Sequence, residues 1–422
     1  MLKAEDNERL VRVGPGTPAG ELFRRYWQPA LLSSELPEAD GAPVRVRILG
    51  EDLVAFRDTE GKVGLIDAYC RHRRAPMFFG RNEECGMRCV YHGWKFNRHG
   101  ECVDMPTEPP GSALREKARI KAYPTAEKGG LVWTYMGPAE QMPPPPDYEW
   151  LRVPATHRHV SKTYEGCNYL QGLEGGLDTA HVSYLHRDDR NDVTRLSQED
   201  GSPRLDVEVT DYGYYYVSRR NLSADRRYVR IYQYMMPAQQ VRPSVVASTG
   251  ERQPVPTIDG HVWVPIDDES THVYNIMYSY DESVPLSDSF IRETEEFFGR
   301  GEDDLIPGTF RLKRNMENDF LVDRSLQKQG NFSGVVGINT QDFALQEGMG
   351  RIVDRSKEFL GSSDKAIILM RRLMLEATRQ VEAGGSPPGA HPDAHRNARA
   401  YDDIVGSGIE LEALLKHATA KW

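Results

Sequence analysis

Two cysteine–histidine pairs lie close together in the first quarter of the sequence. They are Cys70-x-His72 and Cys89-x-x-His92, and sixteen residues separate them. Thiolate sulfur and imidazole nitrogen are the ligands that zinc ions and iron–sulfur clusters take in proteins. The chemistry of this segment is therefore that of a metal centre, and the order of the four residues bears on which metal it holds.

The order of the ligands separates the two kinds of centre. Structural zinc sites usually group two cysteines and then two histidines, whereas each segment here supplies one cysteine and one histidine. A Rieske [2Fe–2S] centre needs that mixture, because two thiolates hold one iron and two imidazoles hold the other. The spacing favours a Rieske centre, with structural zinc as the alternative. The remaining cysteines are predicted to be free thiols: Cys85, Cys102 and Cys167.

A second group of metal-binding residue types lies in the segment EGGLDTAHVSYLH, which contains Asp178, His181 and His186. A helix would place Asp178 and His181 on one face, and it would have to bend or loosen before His186 could converge on His181. Two histidines and a carboxylate form the facial triad of non-haem Fe(II) oxygenases, which leaves positions open for O₂. The third ligand has to come from later in the chain, where Asp342 and Glu347 are the candidates.

The composition is that of a globular protein with an acidic surface. The chain has 422 residues, of which 27% are charged and 39% hydrophobic, and its net charge is −10. This length exceeds one ordinary core, so we expect two domains. The acidic balance argues against nucleic acid as a partner, and no run of about 18 apolar residues is present that would span a membrane. The odd, sparse count of five cysteines favours a reducing, cytoplasmic environment.

The hydrophobic pattern divides the chain into three parts. Residues 1–25 are predicted to be helical. Residues 26–145 alternate short β-rich runs with Gly, Asp and Asn turns, which predicts a small antiparallel β domain that carries the Cys–His pairs. Prolines at 143–146 mark a boundary, and residues 146–422 mix strands with periodic helices. The predicted fold class is α+β, with the β domain followed by a catalytic domain whose antiparallel sheet is flanked by helices.

Taken together, these motifs resemble those of the Rieske non-haem iron oxygenases, in particular the ring-hydroxylating α subunits. The resemblance spans nearly the whole chain, and it is to the phthalate-dioxygenase-type branch. The segments that carry it are RVGPGTPAGELFRRYWQPALL, RNEECGMRCVYHGWKF, EGGLDTAHVSYLH, ENDFLVDR and INTQDFALQEGMGRIVDRS. The paired motifs are more specific than either one alone.

The resemblance implies two cofactors, one [2Fe–2S] Rieske cluster and one mononuclear non-haem Fe(II). The ligands that it implies are Cys70, His72, Cys89 and His92 for the cluster, and His181, His186 and Asp342 for the iron. Asp178 would be a catalytic residue that bridges towards a Rieske histidine of the neighbouring subunit. In this family the two centres of one chain are too far apart for fast electron transfer, so the resemblance also implies a homotrimer.

The resemblance further implies the reaction and the partners. The protein would be a terminal oxygenase that uses O₂ and electrons from a flavin and iron–sulfur NADH reductase, with or without a separate ferredoxin. Members of this branch oxidise aromatic carboxylic acids by ring hydroxylation or by oxidative O-demethylation of methoxylated, lignin-derived acids, and we slightly favour the monooxygenase-type reaction. Arginine pairs well with the carboxylate of such a substrate, and the candidates on the predicted sheet are Arg219, Arg220 and Arg230. The alternative is that these three are solvated residues of exposed strands.

Two other functions are compatible with parts of the sequence. A Rieske electron carrier without catalytic iron would explain the Cys–His pairs, although such a carrier needs only the first domain. A zinc-stabilised binding protein would explain the same four residues. Iron and acid-labile sulfide separate the three functions, because an oxygenase contains three irons to two sulfides per chain, a carrier two to two, and a zinc protein neither.

Overall fold

The computed structural model describes residues 2–190 and 195–422. The helices in this part of the chain are α1 (Ala4–Val11), α2 (Pro18–Arg24), α3 (Leu114–Lys117), α4 (Glu149–Arg152), α5 (Tyr169–Leu177), α6 (Arg195–Glu199), α7 (Asp288–Phe298), α8 (Arg324–Lys328), α9 (Ile338–Gly348), α10 (Lys365–Glu382), α11 (Pro392–His395) and α12 (Leu411–Leu415). None of them has the length and apolar composition that crossing a bilayer requires.

The first eleven strands lie in the part of the chain that carries the Cys–His pairs. They are β1 (Trp27–Leu32), β2 (Val44–Ile48), β3 (Glu51–Arg57), β4 (Val63–Asp67), β5 (Arg81–Glu83), β6 (Gly86–Arg88), β7 (Lys95–Phe96), β8 (Cys102–Asp104), β9 (Ala122–Tyr123), β10 (Thr125–Lys128) and β11 (Leu131–Tyr135). They form three antiparallel sheets with the orders β1-β11-β10, β2-β3-β4-β9 and β5-β6-β7-β8. One Cys–His segment follows β4 and the other connects β6 to β7, so strand ends fix the position of both.

One large antiparallel sheet forms the centre of the second part of the chain. Its strands are β12 (Arg158–Glu165), β13 (Arg204–Thr210), β14 (Gly213–Asn221), β15 (Arg226–Met235), β16 (Gln239–Val246), β17 (Arg252–Asp267), β18 (Ser270–Ser279) and β19 (Tyr401–Gly406). The order is β12-β18-β17-β16-β15-β14-β13, and β19 pairs with the first half of β15 while β16 pairs with its end. The antiparallel sheet with flanking helices confirms the predicted α+β fold class.

Helix α5 packs closely on strand β17 because two of its residues are glycines. A Cβ atom at Gly172 would lie 2.6 Å from the indole nitrogen of Trp263, and one at Gly176 would lie 2.3 Å from the same ring. Any larger residue would therefore push the helix away from the sheet. Helix α9 packs on the other side of α5. Gly172 and Gly176 thus set the spacing between α5 and the sheet at the place where the candidate ligands lie.

Candidate metal centres

The two Cys–His segments fold into loops with the same backbone hydrogen bonds. In each loop the cysteine N–H donates to the carbonyl five residues later, at 2.8 Å for Cys70 and 2.9 Å for Cys89. The N–H of the fifth loop residue, Arg74 or Gly93, donates back to the cysteine carbonyl at 2.9 Å in both loops. That residue has a positive φ, 59° at Arg74 and 77° at Gly93, which a glycine adopts without strain and an arginine does not.

The four side chains of these loops converge at the surface of the protein. The imidazole rings of His72 and His92 are 4.5 Å apart between centroids and cross at 70°. The indole of Trp94 stacks on His72, also at 4.5 Å. Cys70 and Cys89 are buried, with 1% and 3% of their surface exposed, whereas His72 is exposed. The sulfurs thus face the protein interior, and the imidazoles face the solvent.

This donor set fits a [2Fe–2S] cluster. Burial, together with the neighbouring Cys89 sulfur, raises the pKa of the Cys70 thiol to about 11. Two buried thiols this close ionise together only when a cation compensates them, as the iron of a cluster does. Nδ1 of His92 is buried and has no hydrogen-bond partner among the described residues, so this nitrogen is available to a metal. Pro106 covers Gly93, where an added Cβ would lie 2.6 Å from the proline Cγ.

His181, His186 and Asp342 form a second cluster of ligand atoms. The Nε2 atoms of the two histidines are 3.1 Å apart. Oδ1 of Asp342 is 3.5 Å from His181 Nε2 and 3.3 Å from His186 Nε2. The three atoms surround one point, as the ligands of a single ion do. The other candidate carboxylate, Glu347, accepts a hydrogen bond from the N–H of Gly166 at 2.7 Å and is outside this cluster.

The segment between the two histidines is not a continuation of α5. The sequence predicted one helix that carries both Asp178 and His181, and this is wrong because α5 ends at Leu177. Asp178 has an extended backbone, and a short 3₁₀ turn runs from His181 to Ser183. The backbone thus leaves the α-helix altogether after Leu177, and the turn that follows brings His186 back towards His181. Asp342 lies on the second turn of α9.

The second nitrogen of each histidine faces a neighbouring side chain. Nδ1 of His186 is 2.8 Å from Oε1 of Gln341, whose Nε2 donates to Val335 O at 2.8 Å. Because an amide oxygen only accepts hydrogen bonds, His186 carries its proton on Nδ1 and turns a bare Nε2 towards the cluster. Nδ1 of His181 lies 3.6 Å from Oδ2 of Asp178, within ion-pair distance but too far for a hydrogen bond.

The charges around the cluster favour a cation. Burial raises the pKa of Asp342, but the two histidines outweigh it and hold that pKa below its ordinary value. Burial lowers the pKa of His181, but Asp178 and Asp342 outweigh it and raise that pKa above its ordinary value. Two carboxylates thus face two imidazoles in a buried site, which carries excess negative charge when both imidazoles are neutral. A divalent ion neutralises that charge, and two nitrogens with one oxygen are the donors of Fe(II) sites.

A cavity of about 160 Å³ lies beside the three ligands, between α5, α9 and the large sheet. Its polar and aromatic lining outside the ligand cluster includes Arg230, Tyr232, Arg242, His261 and Trp263. Strands β15, β16 and β17 supply these side chains. The ligands and a set of potential recognition groups therefore share one enclosed space.

Two family models match the chain. The model of the Rieske [2Fe-2S] domain matches residues 26–124, and the model called LigXa C-terminal domain like matches residues 134–415. The second match alone covers more than half of the sequence. The chain belongs to the Rieske non-haem iron oxygenases. The predicted family and enzyme class are thereby confirmed, and so are the two cofactors, a Rieske [2Fe–2S] cluster and a mononuclear non-haem iron.

Relatives of this Rieske oxygenase are similar over nearly its whole length. The oxygenase subunit of phthalate 4,5-dioxygenase from Pseudomonas putida is 39% identical, over 92% of this chain and 89% of that protein. The oxygenase subunit of 5,5'-dehydrodivanillate O-demethylase from a Sphingobium species is 35% identical, over 98% and 90%. The crystal structure of dicamba monooxygenase shares the fold, with a TM-score of 0.58 at 20% identity over 85% of this chain and 98% of that chain.

The three arginines that the sequence singled out have different surroundings in this Rieske oxygenase. Arg219 forms an ion pair with Asp206, away from the cavity. Arg220 is buried behind the histidine segment and is bonded to backbone carbonyls. Of the three, only Arg230 lines the cavity, where its Nη2 donates to Pro243 O at 2.6 Å.

Arg242 is the arginine that sequence reasoning missed. It lines the same cavity, and its guanidinium makes no hydrogen bond or ion pair within residues 2–190 and 195–422. Asp259 lies opposite it on the neighbouring strand. Burial lowers the pKa of Arg242, and Asp259 raises it. A partly buried guanidinium whose donors make no hydrogen bond among the described residues is a recognition group for an anion.

Other residues that support the three candidate metal ligands were also not predicted from the sequence. Asn339 donates to Oδ2 of Asp342 at 3.4 Å, and Arg300 donates to Asn339 Oδ1 at 2.6 Å. Arg300 in turn pairs with the buried Glu295. Gln341 could have been identified from the sequence, since it directly precedes Asp342, whereas nothing in the sequence points to Asn339 or Arg300. Their role depends on how α7 packs against α9.

Gln341→Leu tests the orientation of His186. Without the amide acceptor the ring loses the bond that fixes its tautomer, so we expect Fe(II) to bind about 10- to 100-fold more weakly. The measurement is Fe(II) titration of enzyme from which the mononuclear iron has been removed, with cluster content followed by absorbance. Gln380→Leu is the control, because Gln380 also donates to a carbonyl, that of Ser386, but on an exposed helix. An unchanged Fe(II) affinity in Gln341→Leu would contradict the role of the amide.

Proposed function

We propose that this chain is the terminal oxygenase of a multicomponent system that oxidises a single-ring aromatic carboxylic acid with O₂ and NADH-derived electrons. One observation carries the proposal: a single cavity holds the three-ligand cluster and Arg242, whose guanidinium has no partner in the described chain. As the oxygenase subunit of such a system, it requires a separate reductase or ferredoxin to supply electrons. A Rieske electron carrier has no use for a second domain with such a cavity, which argues against that alternative.

The ligands are assigned from donor types and convergence. The proposed cluster ligands are Cys70, His72, Cys89 and His92, and the proposed iron ligands are His181, His186 and Asp342. When bound, the cluster supplies single electrons and the mononuclear iron activates O₂. We propose a helical segment at 1–25, a Rieske domain at 26–145 and a catalytic domain at 146–422, and the matches of the family models to 26–124 and 134–415 support this division.

The size of the cavity supports a substrate with one aromatic ring. A cavity of about 150 Å³ accepts one benzene molecule, and the cavity here has a volume of about 160 Å³. The relative named for phthalate acts on a compound with one ring, whereas 5,5'-dehydrodivanillate joins two. The ring would lie against Trp263 and Phe298, which line the cavity, and an enclosed apolar wall keeps water away from it.

The charge of the cavity supports a carboxylate on that ring. Arg242 offers a guanidinium without an ion pair among the described residues. Arg230 lies on the neighbouring strand, where one of its nitrogens donates to a carbonyl and its Nε lies 4.0 Å from Oδ2 of Asp402. A guanidinium binds a carboxylate through two parallel hydrogen bonds, which fix both distance and orientation. The carboxylate would thus anchor the substrate on the sheet and hold the opposite side of the ring towards the three ligands.

A homotrimer is the proposed assembly, with Asp178 as a catalytic residue at the contact between subunits. Asp178 also lines a second cavity, of about 260 Å³, whose rim includes the exposed apolar residues Leu345 and Met349. Tyr91, 4.0 Å from the His92 ring between centroids, is exposed as well. Exposed apolar side chains of this size mark contact surfaces. The proposed occupant is the Cys–His face of a second copy, which would bring a cluster histidine towards Asp178.

Substrate-dependent O₂ uptake tests the proposed reaction. We expect uptake with single-ring aromatic acids, in the presence of a surrogate NADH reductase, and little uptake with two-ring acids. Formaldehyde in equal amount would identify oxidative O-demethylation, and its absence with phthalate-like or chlorinated acids would identify ring hydroxylation. Three irons and two acid-labile sulfides per chain are expected in the same preparation. Two irons and two sulfides, with no uptake, would indicate an electron carrier instead.

Arg242→Gln tests the carboxylate anchor. A hydrogen bond to a charged group contributes about 1.5–3 kcal/mol, so we expect KM for the acid to rise about 10- to 100-fold. KM for the corresponding neutral amide of the substrate should change little, because the amide has no charge that could pair with the guanidinium. Arg252→Gln serves as the control, since Arg252 lies on the exposed end of β17. Equal effects on acid and amide would show that Arg242 does not recognise the carboxylate.

Asp178→Asn tests the proposed path for electrons. The amide keeps the size of the side chain but removes its charge, so both metals should remain bound. We expect the oxidation of the reduced cluster in a single turnover to slow about 100-fold, because a small misplacement of groups at a reacting centre lowers a rate by about that factor. Asp189→Asn is the control, because Asp189 lies in the same segment and pairs with the exposed Arg187. A wild-type rate in Asp178→Asn would rule out the bridging role.

A further inference from the structure

Arg220 reaches the histidine segment from a strand of the large sheet. It lies on β14, and only 2% of its surface is exposed. Its Nη2 donates to Thr179 O at 2.5 Å, and its Nη1 lies 3.0 Å from Oγ of Ser183. Thr179 precedes His181 by two residues, and Ser183 follows it by two. The guanidinium therefore holds the backbone on both sides of His181.

The same guanidinium joins that segment to a second one. Its Nη1 donates to Ser197 O at 2.9 Å and also contacts the carbonyl of Asp200. Ser183 Oγ donates to the same Ser197 carbonyl at 2.7 Å. The bonds of Arg220 thus tie β14, the turn at His181 and the end of α6 together at one point.

The partners of Arg220 are unusual for a buried arginine. Within residues 2–190 and 195–422, each hydrogen-bond acceptor is a carbonyl or a hydroxyl, and no carboxylate forms an ion pair with it. A buried charge without a counter-charge is unfavourable for stability. A planar guanidinium has five donors in fixed directions, however, so a fixed array of carbonyl and hydroxyl oxygens satisfies its hydrogen bonds without a carboxylate. The bonding pattern indicates that this residue fixes backbone geometry.

We propose that Arg220 is a positioning residue that sets the place of His181 in the metal-binding cluster. The short turn at His181 makes its own backbone hydrogen bonds, such as Ser183 N–H to Ala180 O at 3.1 Å, whereas the Thr179 carbonyl that precedes it accepts its hydrogen bond from Arg220. Arg220 supplies this bond from a strand of the sheet, which is rigid. The His181 nitrogen is thereby held at its distance from His186 and Asp342 before any metal binds. The inference rests on the proposed function for the identity of the metal.

Arg220→Lys tests the proposal with metal binding rather than activity. A lysine ammonium is a compact charge on a flexible stem and does not bridge Thr179 and Ser183 as a guanidinium does. The experiment removes the mononuclear iron from the holoenzyme with a chelator and titrates the site with Co(II). With the cluster oxidised, the EPR spectrum of high-spin Co(II) reports the geometry of the ligands. We expect the Kd for Co(II) to rise about 10- to 100-fold, with an altered spectrum and unchanged cluster content.

Two further variants make the test decisive. Arg219→Lys is the matched control, because Arg219 is the adjacent residue on β14 and pairs with Asp206; its Kd should equal that of the wild type. Ser183→Ala removes one acceptor of Arg220 with a minimal change of volume, and loss of about 1 kcal/mol raises the Kd about fivefold. If Arg220→Lys does not fold, the Kd of Ser183→Ala for Co(II) is sufficient to test the positioning role.

The outcomes separate this inference from the proposed function. Wild-type Kd and spectrum in both Arg220→Lys and Ser183→Ala would overturn the positioning role and leave the proposed function standing. If the wild-type protein binds neither Co(II) nor Fe(II), the proposed function fails, and the inference fails with it. Weaker Co(II) binding in both variants, with the Arg219→Lys control unchanged, supports the inference.

Discussion

Two histidines five positions apart meet only where the backbone between them leaves the α-helix. On a regular helix His181 and His186 would point about 140° apart, since each residue turns the chain by about 100°. In this protein α5 ends at Leu177, and the two Nε2 atoms lie 3.1 Å apart. This segment keeps only the backbone hydrogen bonds of a short turn, so the rest of the domain has to supply partners for its other polar groups. The architecture around the cluster follows from that requirement.

Different neighbouring elements supply contacts to different polar groups of this segment. Asp178 accepts the N–H of Ala180 at 2.7 Å, which closes the end of α5. Helix α9 brings Gln341 to one histidine and presents Asp342 to both. Glycines on α5 allow the helix to lie against Trp263, so that the sheet forms the opposite wall of the cavity. The same helix-to-sheet distance therefore fixes both the ligands and the space available to a substrate.

Residue types and local pattern were sufficient to predict the α+β class and the residues that converge. The Cys–His pairs, the two histidines and Asp342 stand out because their side chains bind metals and their neighbours are turn residues. The pattern failed where contacts depend on the order of strands and helices in space. It placed Asp178 and His181 on one helix, although tertiary bonds to the turn replace those of the helix. The pattern also proposed Arg219 as a carboxylate-binding residue and did not identify Arg242, because only the order of strands in the sheet brings β16 to the cluster.

Asp178 borders two environments of different character. It lines the cavity of about 160 Å³, together with Arg230 and Arg242, and it also lines the cavity of about 260 Å³, whose rim includes exposed apolar side chains. Oδ1 of Asp178 is bound to Ala180 N–H, and Oδ2 lies 3.6 Å from His181 Nδ1. A carboxylate oxygen accepts more than one hydrogen bond, so Oδ2 is free to accept a donor from the larger cavity. Under the proposed function, a cluster histidine from the neighbouring subunit is that donor. The substrate and the donor histidine would then lie in different cavities beside His181, so neither occupies the space of the other.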